Sequence, residues 1–170
     1  MSDHLAVVAR TALVLFAALV LQLGLFDQLR VFSVHAELLL AVAVATAVAW
    51  GAERGAIVGF AAGLLTDLIL PGRFGVTALA YGLTGYGVGV LSDGVARRSR
   101  SIDAGLMALG GAAGIAAFAL VAALFGEPTL GDDRLWSIVG LVALWNAVLS
   151  PLLVPVARWA GTEPELRPVR

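Results

Sequence analysis

Six apolar runs of about 15 to 24 residues, separated by short polar turns, fill most of this chain. A chain of 170 residues cannot bury that much apolar side chain in a single soluble core. The solvent that accepts it is the hydrocarbon of a bilayer, where only helices and closed barrels satisfy their own backbone. The runs cover about 6–26, 36–50, 55–70, 75–91, 103–125 and 134–157. They lack the dyad alternation of barrel strands, so they predict an all-α polytopic membrane protein. Composition agrees: 60% of residues are hydrophobic and 14% are charged, with a mean hydropathy of +0.95. Soluble domains average about 25% charged residues. The expected architecture is a bundle of six transmembrane helices, forming one integral membrane domain over residues 1–170 of a multi-pass cell-membrane protein.

The first run follows Arg10 and resembles a signal peptide in outline. Further spans follow at once, without a mature soluble domain, so an uncleaved first helix is expected. The third run is about 24 Å long as a helix, short of the roughly 30 Å hydrocarbon core. The second and fourth are also only just long enough. Short spans imply local thinning of the bilayer or packing against protein rather than lipid.

Arginine placement sets the expected orientation. With both termini cytoplasmic, Arg10, Arg54, Arg97, Arg98, Arg100, Arg158, Arg167 and Arg170 lie inside, and Arg30, Arg73 and Arg134 outside. The excess on one side favours cytoplasmic N and C termini. The ArgArgSerArg loop is then cytoplasmic and borders anionic lipid. The acidic GEPTLGDDR loop faces outward.

Chemistry-bearing patterns are sparse. Cysteine is absent, which excludes disulfides and thiolate sites. No lysine is present for a phosphate-binding loop, and His4 and His35 lack the spacing of a zinc site. No Gly-x-Ser-x-Gly nucleophile elbow occurs. Nothing here points to a catalytic residue, a metal, a cofactor or a nucleic acid. Small residues are more informative. Gly51, Gly55, Gly59 and Gly63 recur every fourth residue, as do Gly85 and Gly89, and Gly110 and Gly114. That spacing lets helix backbones approach closely, within the bundle or against a partner's helix. Trp50 is expected as an interface anchor. Pro151 and Pro155 are expected to kink the last span.

One carboxylate stands out. In GLLTDLILPGRFG, Asp67 sits about one turn before Pro71, near the outer end of the third span. Three partners are within reach: the backbone N–H groups opening the fourth span near Gly75, the Arg73 guanidinium, and a hydroxyl from Tyr81 or Tyr86. Asp67 then fastens the hairpin of spans three and four, or contacts a partner, or binds a ligand or ion. Tyr81 and Tyr86 are five apart and do not share a helical stripe, so one of them is expected to face a bundle neighbour or lipid headgroups.

Residues 59–91 resemble the rod shape-determining protein MreD family. The pattern G-x-x-x-G-L-x-x-D, a glycine-bearing loop, then A-L-x-Y-x-x-x-G-Y-x-x-G falls on Gly59, Gly63, Leu64, Asp67, Gly75, Ala78, Leu79, Tyr81, Gly85, Tyr86 and Gly89. The motif spans about a fifth of the chain; elsewhere the likeness is one of hydropathy. The resemblance implies a scaffold without catalytic activity in the elongation machinery of rod-shaped bacteria, supporting peptidoglycan synthesis. It implies MreC as partner and, directly or through it, RodA, a class B penicillin-binding protein and the MreB filament. It also implies a fold similar to the substrate-binding subunits of energy-coupling-factor vitamin transporters. The competing reading is therefore a vitamin-binding transporter subunit, with an outward-facing pocket of convergent polar groups.

Overall fold

The computed structural model describes residues 2–26, 37–69, 73–95, 99–126 and 134–162. Among these the chain is all helical: α1 (Ser2–Leu21, extended by a π-helical turn over Gln22–Phe26), α2 (Leu38–Trp50), α3 (Ala52–Ile69), α4 (Val76–Asp93), α5 (Arg100–Leu124) and α6 (Leu135–Gly161). The helices follow the apolar runs to within a few residues. Arg30, Pro71, Gly72, Arg97, Arg98, most of the acidic loop, and the tail beyond Thr162 lie outside the described residues. Three helical segments, His4–Gly24, Arg100–Leu124 and Leu135–Gly161, are long and apolar enough to cross a membrane. The chain is thus a multi-pass membrane protein by its helix content.

Helix α2 is the axis of the bundle. Every residue from Leu38 to Val48 is buried, and α2 touches all five other helices. Apolar side chains surround it on every face, the mark of a helix enclosed by protein. At 13 residues it spans only about 20 Å. Along that length its neighbours surround it. Its run of Ala and Val side chains leaves room for them to come close.

Consecutive helices run antiparallel. In the α3–α4 hairpin the paired residue numbers rise along one helix as they fall along the other. A Cβ on Gly55 would lie 2.6 Å from the Gly85 oxygen, one on Gly59 2.4 Å from the Tyr81 oxygen, and one on Gly63 2.4 Å from the Ala78 Cα. The two backbones are therefore in direct contact along the seam. The expected glycine face is filled within the bundle. Gly51 departs from that face: it is the one-residue link between α2 and α3, at φ +82°, and it lies against the Asp93 carboxylate. On α5, Gly110 and Gly114 receive Val44 and Leu40 of α2. Gly111 receives Asn146 of α6, which is fully buried and donates from Nδ2 to the Val142 carbonyl at 2.9 Å.

Pro151 and Pro155 lie within α6, which continues through them to Gly161. Trp50, expected as an interface anchor, is half-buried and has a partner within the bundle. Its Nε1 donates to the Ala157 carbonyl at 2.8 Å, and its ring packs against Gly161. The indole thus ties the C-terminal ends of α2 and α6 together.

Candidate functional site

The segment before α4 contains a local problem in backbone chemistry, and Asp67 solves it. A helix begins with several N–H groups that have no intrahelical partner. The residue at the N-cap of α4 is Gly75, which has no side chain with which to accept them. Gly75 holds φ +94°, a left-handed conformation natural to glycine. The turn directs its own N–H and those of the first helical residues back toward α3. There Asp67 Oδ2 accepts from Gly75 N at 2.8 Å and Ala78 N at 3.1 Å, and Oδ1 accepts from Thr77 N at 3.3 Å. A cap usually supplied by the preceding residue comes from one helix earlier. The carboxylate's charge also suits the positive end of the α4 dipole.

Two of the other expected partners of Asp67, Arg73 and Tyr81, donate hydrogen bonds to other groups. Arg73 donates to the Phe125 carbonyl at the end of α5. Tyr81 is buried, and its hydroxyl donates to Glu37 Oε2 at the start of α2. Tyr86 faces outward from α4 and is 55% exposed. The two tyrosines therefore face opposite ways, one to a bundle neighbour and one to the surroundings.

The α2 N-terminus follows the same plan as that of α4. Its N-cap Glu37 makes no side-chain cap of its own helix. Leu39 N instead donates to Gln22 Oε1, in the π-helical turn after α1, at 3.1 Å. In both hairpins the second helix is thus capped by a side chain of the first. Glu37 is left to accept from Tyr81, which joins α2 to α4. Tyr81→Phe would leave the Glu37 carboxylate without this donor. Expected is a loss of about 1–3 kcal/mol, read as a lower thermal midpoint in detergent with helicity unchanged at low temperature.

The opposite end of the bundle is held by arginines. Arg158 Nη2 pairs with Asp103 Oδ2 at 2.8 Å, bridging α6 to α5. Arg54 Nη1 donates to the Gly161 carbonyl at 3.2 Å, with its guanidinium 4.7 Å from the centre of the Trp50 ring. Arg10 Nη1 donates to the Thr162 carbonyl at 3.2 Å and lies 5.3 Å over the Trp159 ring. Carbonyls at a helix C-terminus lack intrahelical donors, and cations suit that end. Two arginines, from α1 and α3, therefore close the end of α6.

Sequence reasoning marked Asp67, Gly59, Gly63, Gly75, Tyr81, Gly85, Tyr86 and Gly89. Apart from Tyr86, the structure gathers all of these along the α3–α4 seam or its adjoining turn. It missed the Glu37–Tyr81 bond, the Gln22 cap, and the Asp103–Arg158 and Trp50–Arg54–Gly161 contacts. Gln22 and Glu37 were visible as polar residues within or beside apolar runs. Their partners depend on register between helices distant in sequence.

Among the described residues no group of three or more His, Cys, Asp or Glu is arranged to hold a metal ion. The polar side chains that meet do so at helix ends, where they satisfy backbone groups or one another. No curated protein and no solved structure matches the chain significantly. A family model described as rod shape-determining protein MreD does match, over residues 1–158, which is nearly the whole length. The chain therefore belongs to the MreD family.

Proposed function

We propose that this chain is a non-enzymatic scaffold of the rod-shape complex in the inner membrane, binding MreC and supporting lateral peptidoglycan synthesis and cell shape. RodA, a class B penicillin-binding protein and MreB are joined directly or through MreC. The observation that carries the reading is the family match over residues 1–158. The use of polar side chains to close helix ends, rather than to line a polar cleft, supports it.

In this reading all six helices cross the bilayer as one integral domain, with both termini cytoplasmic. The up-and-down order of the helices supports an even number of crossings. Among described arginines, Arg10, Arg54, Arg100 and Arg158 share the inner end, against Arg73 and Arg134 at the outer. The arrangement is taken to be similar to the substrate-binding subunits of energy-coupling-factor transporters. Asp67, Gly59, Gly63, Gly75, Gly85, Gly89 and Tyr81 serve to hold the α3–α4 hairpin rigid. Tyr86, with Leu79, Leu83 and Val90, forms its exposed outward face.

Affinity purification from a rod-shaped host in mild detergent, followed by mass spectrometry of proteins and small molecules, tests the proposal. MreC is expected to co-purify, and depletion is expected to round the cells. Recovery of a vitamin without cell-wall proteins would instead establish the transporter-subunit reading.

A further inference from the structure

Helices α1 and α3 both lean on α2 but barely meet each other. Between them a crevice of about 410 Å³ opens sideways. Its walls are Val8 and Leu15 of α1, Val42 of α2, and Ile57, Val58 and Ala61 of α3. Val8 and Ile57, at its lips, are 64% and 62% exposed, so the crevice opens on an apolar outer surface of the bundle, which suits lipid. Arg54 and Trp50 stand at the end nearest the helix termini, with His4 of α1 opposite. From Arg54 to Ala61 the crevice runs about 10 Å toward the bilayer centre.

The chemistry is graded along that depth. The interior is mainly aliphatic, with one hydroxyl each from Thr11 of α1 and Thr46 of α2. The one hydroxyl on α2, Thr46, is turned back to the Val42 carbonyl at 2.9 Å. The mouth is cationic, and among the described residues no carboxylate lines the crevice. Glu53, beside Arg54 in sequence, is exposed and lies outside it. Arg54 uses Nη1 for the Gly161 carbonyl and rests on the Trp50 ring. This fixes the guanidinium in place, while its remaining N–H groups are available to an anion. Arg10 adds a second positive charge nearby, held over Trp159.

From this charge complementarity we propose that the α1–α3 crevice is a binding site for one anionic phospholipid, with an acyl chain between Val8, Leu15, Ile57 and Ala61 and the phosphate at Arg54. An arginine is suited to phosphate by its planar set of donors, and a membrane cation favours anionic over zwitterionic lipid. The bound lipid would seal α1 to α3 where protein contact is thin. The inference is independent of the scaffold reading and requires only that the protein reside in a bilayer.

The test uses the full chain reconstituted in vesicles of equal phosphatidylglycerol and phosphatidylcholine, extracted gently and examined by native mass spectrometry. One phosphatidylglycerol per chain is expected to be retained, preferred about fivefold over phosphatidylcholine. Arg54→Gln is expected to erase the preference, Arg54→Lys to keep most of it, and Arg100→Gln, an exposed arginine outside the crevice, to leave it unchanged. Ala61→Trp, which fills the crevice, is expected to remove the bound lipid whatever its headgroup. Should either disruptive variant fail to fold, the wild-type preference together with Arg54→Lys decides the matter. Equal retention of the two lipids would overturn the proposal. So would a preference that survives Arg54→Gln, or a crevice occupied by a second copy or another polypeptide with no lipid retained.

Discussion

Gly85→Ala is expected to prevent the bundle from folding, or to leave it weaker by about 3 kcal/mol or more. The added methyl would lie 2.1 Å from the Gly55 carbonyl oxygen and 2.6 Å from its carbon. Both are backbone atoms and cannot rotate away. Relief requires α3 and α4 to separate by more than about 1 Å, which weakens dispersion contacts along the whole seam. Three further contacts of the same kind share that seam, at Gly59, Gly63 and Gly89. Against this, alanine gains only about 1 kcal/mol of helix propensity over glycine. Gly87 gives the control. It lies on the same helix, and a Cβ there meets nothing within 4 Å. Gly87→Ala is therefore expected to be neutral or slightly stabilising. Thermal unfolding in detergent, with the yield of monodisperse protein, measures both. Equal effects of the two substitutions would show that close approach at Gly85 is unimportant.

Asp67→Ala is expected to cost about 2–3 kcal/mol, because charge-assisted bonds to the first N–H groups of α4 disappear together. Gly75, at the cap itself, cannot replace them. Asp67→Asn keeps one acceptor oxygen but loses the charge, so its cost is expected to be about half as large. The order Asp, Asn, Ala in thermal midpoint checks a role confined to the hairpin. MreC capture measured on the same samples separates the alternatives. A variant as stable as the parent that no longer captures MreC would assign Asp67 to the partner instead.

These two sites differ in how much of each was readable beforehand. Asp67 and its donor partners are only 8 to 11 residues apart. A short turn between two apolar runs leaves the carboxylate few places to go, so the N–H groups near Gly75 were identifiable as partners. Glycine spacing likewise marked a close helix contact, although not which helix would fill it. The Tyr81–Glu37 bond spans 44 positions and the Trp50–Ala157 bond spans 107. Such pairs depend on the rotation and register of whole helices, which periodicity does not encode when every face is apolar. For the same reason the bundle partner of Trp50 was not foreseen, since an indole at the end of an apolar run suits a helix neighbour and a membrane interface alike. The central place of α2 was hidden too. Hydropathy is equally high for a helix in lipid and for one enclosed by protein, and only the shortness of the run hinted at the difference.

That enclosed helix also constrains how the protein is made. Being second in the chain, α2 emerges from the ribosome before the four helices that later wrap it. During that interval α1 is the one helix of this bundle already made, and most of the surface of α2 is still uncovered. The stretch LLLAVAVATAVAW, with one hydroxyl and no charge, suits that passage as well as its final setting. A buried polar network at the centre of the finished bundle would have met its partners too late. The polar connections are instead at the two ends of the molecule, where water and headgroups can serve the early helices until the later ones arrive.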